Sequence, residues 1–584
     1  MRTFRRRGFL QFAGLVGAAT LCRALAGDSA LGAGGAAQAG GASSRGANSG
    51  ESASAPASQE KPGAGGPPRK PNFLIVIADD MGYSDPGCYG GEVETPILDG
   101  LAANGIRFTQ CYSTARCWPS RACLLTGYYA QQVRMDPPHG KLPAWARMLP
   151  HYLRPSGYRC YVSGKWHLRN APKAVADGGF DRSYILHDHD HNFGPKQHEL
   201  DDKALPPVPA GMDFYTTTAI AGRALDFLKQ HAEKHAGDPF LMYLAFTTPH
   251  FPLQAPPQDI AKYAGKYKEG WDICRSRRWE RMTRMGLINC KLSEPDTGII
   301  PNWNLPIEKL QEEIGPGEVS RAVPWKNLTD EQKDFQAGKM SIHAAMVDRN
   351  DQEMGRVIEQ IKAMGAFENT VIIFVSDNGA SAEQIIRGDR NDISAAAGSA
   401  RSYLCLGPGW STASNTPFRL HKSWVHEGGI ASPLVVHWPA GIKARGELRH
   451  TPCHFVDLVP TLAALAGGAI APSWNGQTPP ALPGKNLVPA LAADAAIERD
   501  FLYFHHMDNK ALRVGDWKIV CAGNGKPWEL YDMRTDRCES DDLASSQPQR
   551  VEQMAEQWKR LDDEYRRQAD PDGPPGKAKA KGKQ

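Results

Sequence analysis

The stretch Asn72–Asp80, NFLIVIADD, is the part of the sequence that indicates the fold class most directly. Its apolar residues are continuous instead of alternating with polar ones, and the run has the length of a β-strand. A strand of this kind is covered on both faces, as in the parallel sheets of α/β proteins. Two carboxylates, Asp79 and Asp80, follow the apolar run directly. We therefore expect them beyond the carboxyl end of a buried strand, where α/β proteins bind ligands.

Four later apolar runs have the same length and character. They are YRCYVSGKWH (residues 158–167), FLMYLAFTTPH (240–250), TVIIFVSDNG (370–379) and SPLVVHWP (432–439). Amphipathic stretches with helical spacing occur between such runs, at Thr95–Asn104, Thr216–Glu233 and His343–Met364. The alternation predicts an α/β fold with a large mixed, mostly parallel sheet flanked by helices, which we place in one domain over residues 71–497.

Reactive polar residues stand at the end of the first four of these five apolar runs. Lys165 and His167 end the second run, His250 ends the third, and Asp377 with Asn378 ends the fourth. Parallel strands bring such endings to one edge of a sheet. The oxygen-bearing side chains suit a hard cation, calcium or magnesium, better than zinc. A single acidic pair is often a loop cap, but two pairs at corresponding strand ends favour a metal site.

The stretch Cys117–Gly127, CWPSRACLLTG, predicts a helix that begins near Cys117, because proline is tolerated in a first turn. Backbone N–H groups at a helix N-terminus favour an anion. Arg121 lies about one turn further on over the same face, and its guanidinium suits a tetrahedral oxyanion. The residues alone leave three interpretations of Cys117 open: a disulfide with Cys111 or Cys123, a Cys–His nucleophile, or a side chain presented to an anion.

A smaller C-terminal α+β domain with an antiparallel sheet is expected over residues 498–569. Phe501–Ile519 and Trp528–Tyr531 have the pattern of short strands with turns, and Pro548–Gln568 has that of a terminal helix. The basic tail over residues 570–584 ends in GPPGKAKAKGKQ, and its composition predicts disorder.

Residues 1–26 have the pattern of an export signal, with a basic start, a modest apolar stretch and a small-residue cleavage site at Ala24-Leu25-Ala26. Arg6-Arg7 with the following Gly8-Phe9-Leu10 resembles a twin-arginine signal, and an ordinary secretory signal is the alternative. Residues 27–70 are rich in Ala, Gly and Ser and predict a disordered linker. We expect an exported protein, periplasmic or extracellular.

Composition excludes two classes of partner. The formal net charge is only +4 over 584 residues, whereas a general nucleic-acid binder has a strong basic bias. No apolar run after the signal reaches the roughly 18 to 20 residues that a membrane-spanning helix needs. We therefore expect no nucleic-acid partner and no membrane span.

The stretch CWPSRACLLTG resembles the sulfatase signature C-x-P-S-R-x-x-x-L-T-G. Further segments resemble sulfatase motifs in the order of that family: PNFLIVIADDMGYSDPGCYG, ETPILDGLAANGIRFTQCYS, GYRCYVSGKWHL, FTTPHFPLQAP, VSDNGA, HKSWVHEGGIASPLVVHWP, HFVDLVPTLAALAG and WELYDMRTDRCESDDLA. The resemblance extends from about Pro71 to about Ala544 and is strongest to the arylsulfatase-type branch. It implies an alkaline-phosphatase-like fold and hydrolysis of a sulfate monoester, either an aryl sulfate or a sulfated carbohydrate.

The resemblance also implies a modified residue and a metal ion. In sulfatases the cysteine at the position of Cys117 is oxidised to Cα-formylglycine by a separate maturation enzyme, and the hydrated aldehyde attacks sulfur. The family pattern places Ca²⁺, with Mg²⁺ the less favoured ion, among five groups. They are Asp79, Asp80, Asp377, Asn378 and the residue made from Cys117.

Catalytic roles are carried over onto matching positions in the same way. Arg121 and Lys165 would hold and polarise the hydrated aldehyde, and Lys422 would contact the sulfate. His250 resembles the general acid that protonates the leaving oxygen, and His167 resembles the base that acts during sulfate release.

Two other functions stay open. The same superfamily contains phosphomonoester and phosphonate monoester hydrolases, although Lys165 with His167, His250 and Lys422 favours sulfate. If Cys117 is not oxidised, the chain could be a non-catalytic protein that binds sulfated glycans. The expected partners are a small-molecule or glycan sulfate ester and the maturation enzyme.

Three local features fall outside these motifs. ILHDHDHNFGPKQHEL (residues 185–200) contains four histidines, at positions 187, 189, 191 and 198, which could shape a substrate pocket, form a solvated loop or bind an accessory metal. Arginines 275, 277, 278, 281 and 284 would give one helix a basic face, either solvated or attractive to a polyanionic substrate. Ile430 is followed by Ala431, where sulfatases often have arginine, so the support of Glu427 is expected to differ.

Overall fold

The computed structural model describes residues 70–137, 141–168, 172–387 and 391–570. The predicted signal peptide, the predicted linker up to residue 69 and the tail from residue 571 lie outside the described residues. The described residues belong to one compact unit, which contains both sheets. Over the described part of the chain, no helix is both long and apolar enough to cross a membrane.

The large sheet contains eleven strands. In chain order they are β1 (Asn72–Asp79), β2 (Ile106–Tyr112), β3 (Arg159–Lys165), β4 (Arg182–Leu186), β5 (His198–Leu200), β6 (Lys203–Ala204), β7 (Phe240–Pro249), β8 (Thr370–Ser376), β9 (Ala431–His437), β10 (Glu447–Arg449) and β11 (Cys453–His454). Their spatial order is β10-β2-β9-β8-β1-β7-β3-β4-β5-β6, and β11 pairs with β2.

The centre of this sheet, β8-β1-β7-β3-β4, is parallel throughout. β9 runs antiparallel to both β8 and β2, so that β2 has the direction of the parallel strands. The prediction of a large mixed, mostly parallel sheet is confirmed.

The helices lie on both faces of this sheet and beyond it. They are α1 (Pro96–Ala103), α2 (Cys117–Thr126), α3 (Leu149–Leu153), α4 (Thr216–Lys234), α5 (Pro257–Lys262), α6 (Gly270–Arg284), α7 (Ile307–Glu313), α8 (Asp330–Ala363), α9 (Gly407–Ser414), α10 (Glu427–Ile430), α11 (Leu458–Leu465), α12 (Val488–Ala492) and α13 (Pro548–Ala569).

The side chains of β1 explain its unbroken apolar sequence. Leu74 and Val76 belong to the core that contains α4 and α8. Phe73 and Ile75 belong to the opposite core, which contains α2 and α11. Because successive side chains of a strand point to opposite faces, a strand covered on both sides must be apolar at every position.

The helix α8 is longer than the sequence pattern predicted, beginning at Asp330 and not at His343. Thr329 caps its start, since the Thr329 hydroxyl accepts from Gln332 N at 3.2 Å and the Gln332 side chain accepts from Thr329 N at 3.0 Å. This reciprocal capping box satisfies two backbone donors that the first turn would leave unpaired.

A second, antiparallel sheet of four strands forms the C-terminal part. Its strands, in spatial and chain order, are β12 (Leu502–His506), β13 (Asn509–Val514), β14 (Trp517–Ala522) and β15 (Glu529–Asp532). The helix α13 packs on β13 and β14. This arrangement confirms the expected antiparallel sheet with a terminal helix.

Candidate active site

Four neighbouring parallel strands deliver their loops to one edge of the large sheet. The edge lies after Asp79 of β1, Lys165 of β3, Pro249 of β7 and Ser376 of β8. The strand β2 runs in the same direction and leads into α2, so Cys117 reaches the same edge. The structure thus brings the predicted site residues together.

A group of ligand atoms at this edge is compact enough to hold a cation. One ligand atom each from Asp79, Asp80, Cys117 and His250 lies within 4.8 Å of all the others, and all four residues are buried. Asp79 Oδ1 and Asn378 Oδ1 are buried without a hydrogen-bond partner in the described structure. Because buried oxygens are normally satisfied, these two orphaned acceptors fit a bound hard cation.

Asp377 lies beside this group and is engaged by Arg121. Arg121 Nη2 is 2.7 Å and Arg121 Nε 2.9 Å from Asp377 Oδ2, while Asp377 Oδ1 accepts from Asp80 N at 3.3 Å. The tightest cluster of ionisable ligands therefore contains His250, which was not among the predicted metal ligands, and not Asp377.

The cationic side chains of Arg121 and Lys165 are completely buried next to the carboxylates of Asp79 and Asp377. Lys165 Nζ donates to Asp79 Oδ2, and Arg121 Nη1 donates to the Lys165 carbonyl at 3.0 Å. Burial, together with the charge of Asp377, raises the pKa of Asp79 to about 7 in the absence of a bound cation. A divalent ion would favour the ionised carboxylate.

Cys117 is the first residue of α2, and its Sγ lies 3.7 Å from Asp80 Oδ1. Cys117 forms no disulfide with Cys111 or Cys123, since all three are free thiols. Burial raises the pKa of Cys117 well above its usual value, although the charges of Lys165 and Lys422 oppose that shift. The thiolate that a Cys–His nucleophile needs is therefore disfavoured in this environment.

The histidines His250 and His167 both lie at this edge of the sheet, after β7 and β3. His250 Nδ1 faces the carbonyl of Phe251, which leaves Nε2 directed to the site, 3.7 Å from Asp80 Oδ2. The His167 ring lies 5.7 Å from that of Trp118, and His167 Nδ1 has no partner among the described residues. Burial and the charges of Lys165 and Lys422 lower the pKa values of both rings. A bound anion would oppose that electrostatic effect.

Lys422 reaches the site from the loop between α9 and α10. Its Nζ lies 2.8 Å from Asp80 Oδ2 and 3.3 Å from Glu383 Oε2. Glu383 also accepts from Arg116 Nη2 at 3.0 Å and from the Trp303 indole at 2.8 Å. Glu383, Arg116 and Trp303 were not predicted from the sequence, because their contacts join three loops that no periodic pattern relates.

Backbone packing between two glycine-containing loops holds Lys422 near Asp377 and Asn378. Gly379 N donates to the Gly429 carbonyl at 3.1 Å. A Cβ on Gly379 would lie 1.8 Å from the Gly428 carbonyl oxygen, so only glycine permits this approach. The tight contact brings the loop after β8 against the turn that precedes β9.

The C-terminal sheet supports Glu427, for which the sequence left the partner open. Glu427 Oε1 accepts from Lys518 Nζ of β14 at 3.0 Å, and Oε2 accepts from Arg537 at 3.2 Å and from Tyr112 at 3.1 Å. The cationic side chains of Lys518 and Arg537 thus neutralise the buried carboxylate of Glu427. The C-terminal part thus helps to fix the loop that carries Lys422.

The arginines of α6 do not form a basic surface. Arg278 is fully buried and pairs with Asp85 at 2.8 Å and Glu92 at 2.7 Å. Arg275 is also buried, and it donates to the Ser293 carbonyl at 2.9 Å. The other three arginines pair with glutamates. The hypothesis that this helix attracts a polyanion is not supported, because its charge is neutralised within the fold.

One edge of the sheet thus combines a buried oxygen-rich cluster that could hold a cation, the histidines His167 and His250, and three buried cationic side chains. This combination suits an ester hydrolase that acts on a tetrahedral oxyanion. The model of one family, described as Sulfatase, matches residues 71–469. The chain belongs to the sulfatase family and is a sulfuric ester hydrolase.

Similar proteins agree with this assignment. The chain is 30% identical over 539 residues to an uncharacterized sulfatase of Schizosaccharomyces pombe, a match that covers 84% of this chain and 93% of that protein. It is 30% identical over 450 residues to an arylsulfatase of Klebsiella aerogenes, covering 71% of this chain and 90% of that protein. The crystal structure of Ps i-CgsB shares the fold, with a TM-score of 0.60, 24% identity and coverage of 85% and 93%.

Proposed function

We propose that this sulfatase hydrolyses a sulfate monoester, an aryl sulfate or a sulfated carbohydrate, with a nucleophile made by oxidation of Cys117 to Cα-formylglycine. The observation that carries the proposal is the position of Cys117 beside Asp80, whose other carboxylate oxygen contacts Lys422. A nucleophile at Cys117 would face both a cation-binding cluster and a cation able to hold a sulfuryl oxygen.

Ca²⁺ is the ion that we propose for the oxygen cluster, with Mg²⁺ less favoured. Asp79, Asp80, Asp377 and Asn378 would hold it together with the residue made from Cys117. The orphaned oxygens of Asp79 and Asn378 support this ligand set. When bound, the ion supplies positive charge that stabilises negative charge on the oxygens of the ester.

Formylglycine, once formed and hydrated, supplies a hydroxyl nucleophile for sulfur. We assign to Arg121 and Lys165 the task of positioning and polarising it, since both are buried beside Asp79. Lys422 would hold the sulfate. His250 would protonate the leaving oxygen through Nε2, the ring nitrogen that faces the site. His167 would accept a proton during release of sulfate.

Maturation and location are also proposals. Cys117 is only 1% exposed, so a formylglycine-generating enzyme would have to reach it before folding is complete. Oxidation of Cys117 would then take place before export. The signal that we predict over residues 1–26 favours a periplasmic or extracellular enzyme. We keep residues 71–497 as the catalytic domain and residues 498–569 as the C-terminal subdomain.

An activity comparison tests the function. The enzyme, produced together with a formylglycine-generating enzyme, is offered 4-nitrophenyl sulfate, 4-nitrophenyl phosphate and a panel of sulfated monosaccharides. We expect turnover of sulfate esters and a loss of at least about a thousandfold in Cys117→Ala, because the nucleophile is removed. A preference for the phosphate ester would instead favour a phosphomonoesterase. Binding of sulfated sugars without turnover would favour a non-catalytic protein.

A further inference from the structure

His189 lies between the two histidines of the candidate active site. Its ring centroid is 5.0 Å from that of His167 and 5.0 Å from that of His250. The residue is half-buried, and neither of its ring nitrogens has a hydrogen-bond partner within the described ranges. A polar ring with unused hydrogen-bonding capacity therefore lies against both histidines of the candidate active site.

The other three histidines of the same loop are used within the protein. His187 pairs with Glu199 at 3.3 Å, and His191 Nδ1 lies 2.8 Å from Asp188 Oδ1. His198 contacts the Tyr184 hydroxyl at 3.1 Å and the Pro206 carbonyl at 2.8 Å. A structural role explains these three histidines, but it leaves His189 unexplained.

The neighbours of His189 fix its position without using its side chain. Asp188 accepts from Lys196 N at 3.0 Å and from Asp190 N at 3.1 Å. Asp190 receives two contacts from Arg387 Nη1, at 2.8 and 2.7 Å. The ring is thus presented by a loop that is already ordered, which is how a binding residue is preorganised.

A cavity of about 570 Å³ opens beside His167 and His189. Its lining combines the indole of Trp166 with the polar side chains of Lys173 and Glu199. This volume is within the range of small-molecule sites. An aromatic surface combined with charged hydrogen-bonding groups suits a polyhydroxylated ring better than a simple arene.

We propose that His189 binds a hydroxyl group of the leaving alcohol next to the sulfated carbon, and that the natural substrate is a sulfated carbohydrate. A neutral imidazole offers one donor and one acceptor, and so does a hydroxyl. Burial and the charge of Lys165 lower the pKa of His189, which agrees with the neutral form. The inference rests on the proposed function, because it requires the ester to occupy the site at Cys117 and Lys422.

The test uses the matured full-length enzyme, 4-nitrophenyl sulfate, the best sulfated monosaccharide of the panel, and the deoxy analogue that lacks the hydroxyl next to the sulfate. We expect His189→Ala to lower kcat/KM for the sugar at least about tenfold and to change that for 4-nitrophenyl sulfate less than about threefold. For the wild type, kcat/KM should be lower by a similar factor on the deoxy sugar than on the complete sugar. For His189→Ala, kcat/KM should be the same on the two sugars. His189→Gln, which retains a donor and an acceptor, should recover part of the loss.

Equal losses on the sugar and on 4-nitrophenyl sulfate would overturn the inference, since His189 would then act through His167 or His250. An active wild type that turns over no sugar sulfate would overturn it as well, while leaving the proposed function intact. A wild type that hydrolyses no sulfate ester would contradict the proposed function itself. His235→Ala, which removes a remote half-buried histidine at the end of α4, is the matched control and should behave as wild type.

Discussion

Asn378 Nδ2 donates to Asp80 Oδ1 at 2.7 Å, and this hydrogen bond orients the amide of Asn378 so that its Oδ1 has no partner among the described residues. The two residues follow different strands, β8 and β1, which are adjacent in the sheet. The amide thus links two strand ends and leaves one oxygen available to the cation that we propose for this site.

Replacing Asn378 tests the metal site. Asn378→Ala removes the orphaned oxygen and the restraint on Asp80, so we expect the dissociation constant for Ca²⁺ to rise at least about tenfold. Calorimetric titration of the chelator-treated protein with Ca²⁺ and then with Mg²⁺ measures the effect. Asn378→Asp, which keeps an oxygen at the position of Oδ1 and loses only the donor to Asp80, is the matched control and should retain Ca²⁺ binding. An unchanged dissociation constant in Asn378→Ala would place the ion elsewhere.

A leaving-group series tests His250. A general acid matters most for poor leaving groups, because a good one departs without a proton. We expect His250→Gln to reduce kcat/KM by about a hundredfold or more for the least acidic phenol of an aryl sulfate series, and by only a few-fold for the most acidic one. The slope of log kcat/KM against phenol pKa measures the difference. A uniform loss across the series would argue against proton donation by His250.

His167→Gln is the comparison for that series. Since we assign His167 to sulfate release, its replacement should lower kcat without changing the dependence on leaving group. Stopped-flow measurements should show a burst of the phenol followed by slow turnover. Absence of a burst, together with a steeper slope of log kcat/KM against phenol pKa, would indicate that His167 is the general acid and His250 the base.

The buried ion pair of Asp85 makes a prediction about stability. Although burial opposes it, His343 and Arg278 lower the pKa of Asp85 to about 2. A lowered folded-state pKa stabilises the protein above the unfolded-state value, and this contribution is lost as pH falls towards the folded-state value. We expect Asp85→Asn to lower the free energy of unfolding at pH 5 by about 3 kcal/mol, because Arg278 and His343 lose a partner.

The difference in the free energy of unfolding between wild type and Asp85→Asn should decrease by about 1 kcal/mol between pH 5 and pH 3. Urea denaturation at each pH measures it. Asp226→Asn, at an exposed pair with Arg223, is the control and should have almost no effect. A difference that persists undiminished to pH 3 would show that the pKa of Asp85 is not set by these partners.

The sequence could predict the edge of the sheet on which the site lies, because continuous apolarity is a property of β1, β3, β7 and β8 themselves. Each run ends where its polar residues begin, so the positions of Asp79 and Asp377 follow from strand direction alone. The start of α8 was misplaced because its first residues, from Asp330, are polar and weaken the apolar period.

The sequence could not predict which loop side chains complete the site. The contact of Glu383 with Lys422 and the place of His189 between two histidines depend on loop conformations, which no apolar period encodes. Likewise, the sequence pattern of α6 predicted a basic surface because the acidic partners of Arg278, Asp85 and Glu92, are 193 and 186 residues away in the chain. Local pattern identifies strand ends, whereas long-range pairing decides what surrounds them.

Peptide mass spectrometry of the active enzyme tests the central claim most directly. The protein is produced and matured in its host, its sulfatase activity is confirmed, and the mass of the tryptic peptide that contains Cys117 is measured. We predict a mass about 18 Da below that of the cysteine peptide, as oxidation of the thiol to an aldehyde requires. An unmodified Cys117 in a fully active preparation would contradict the account.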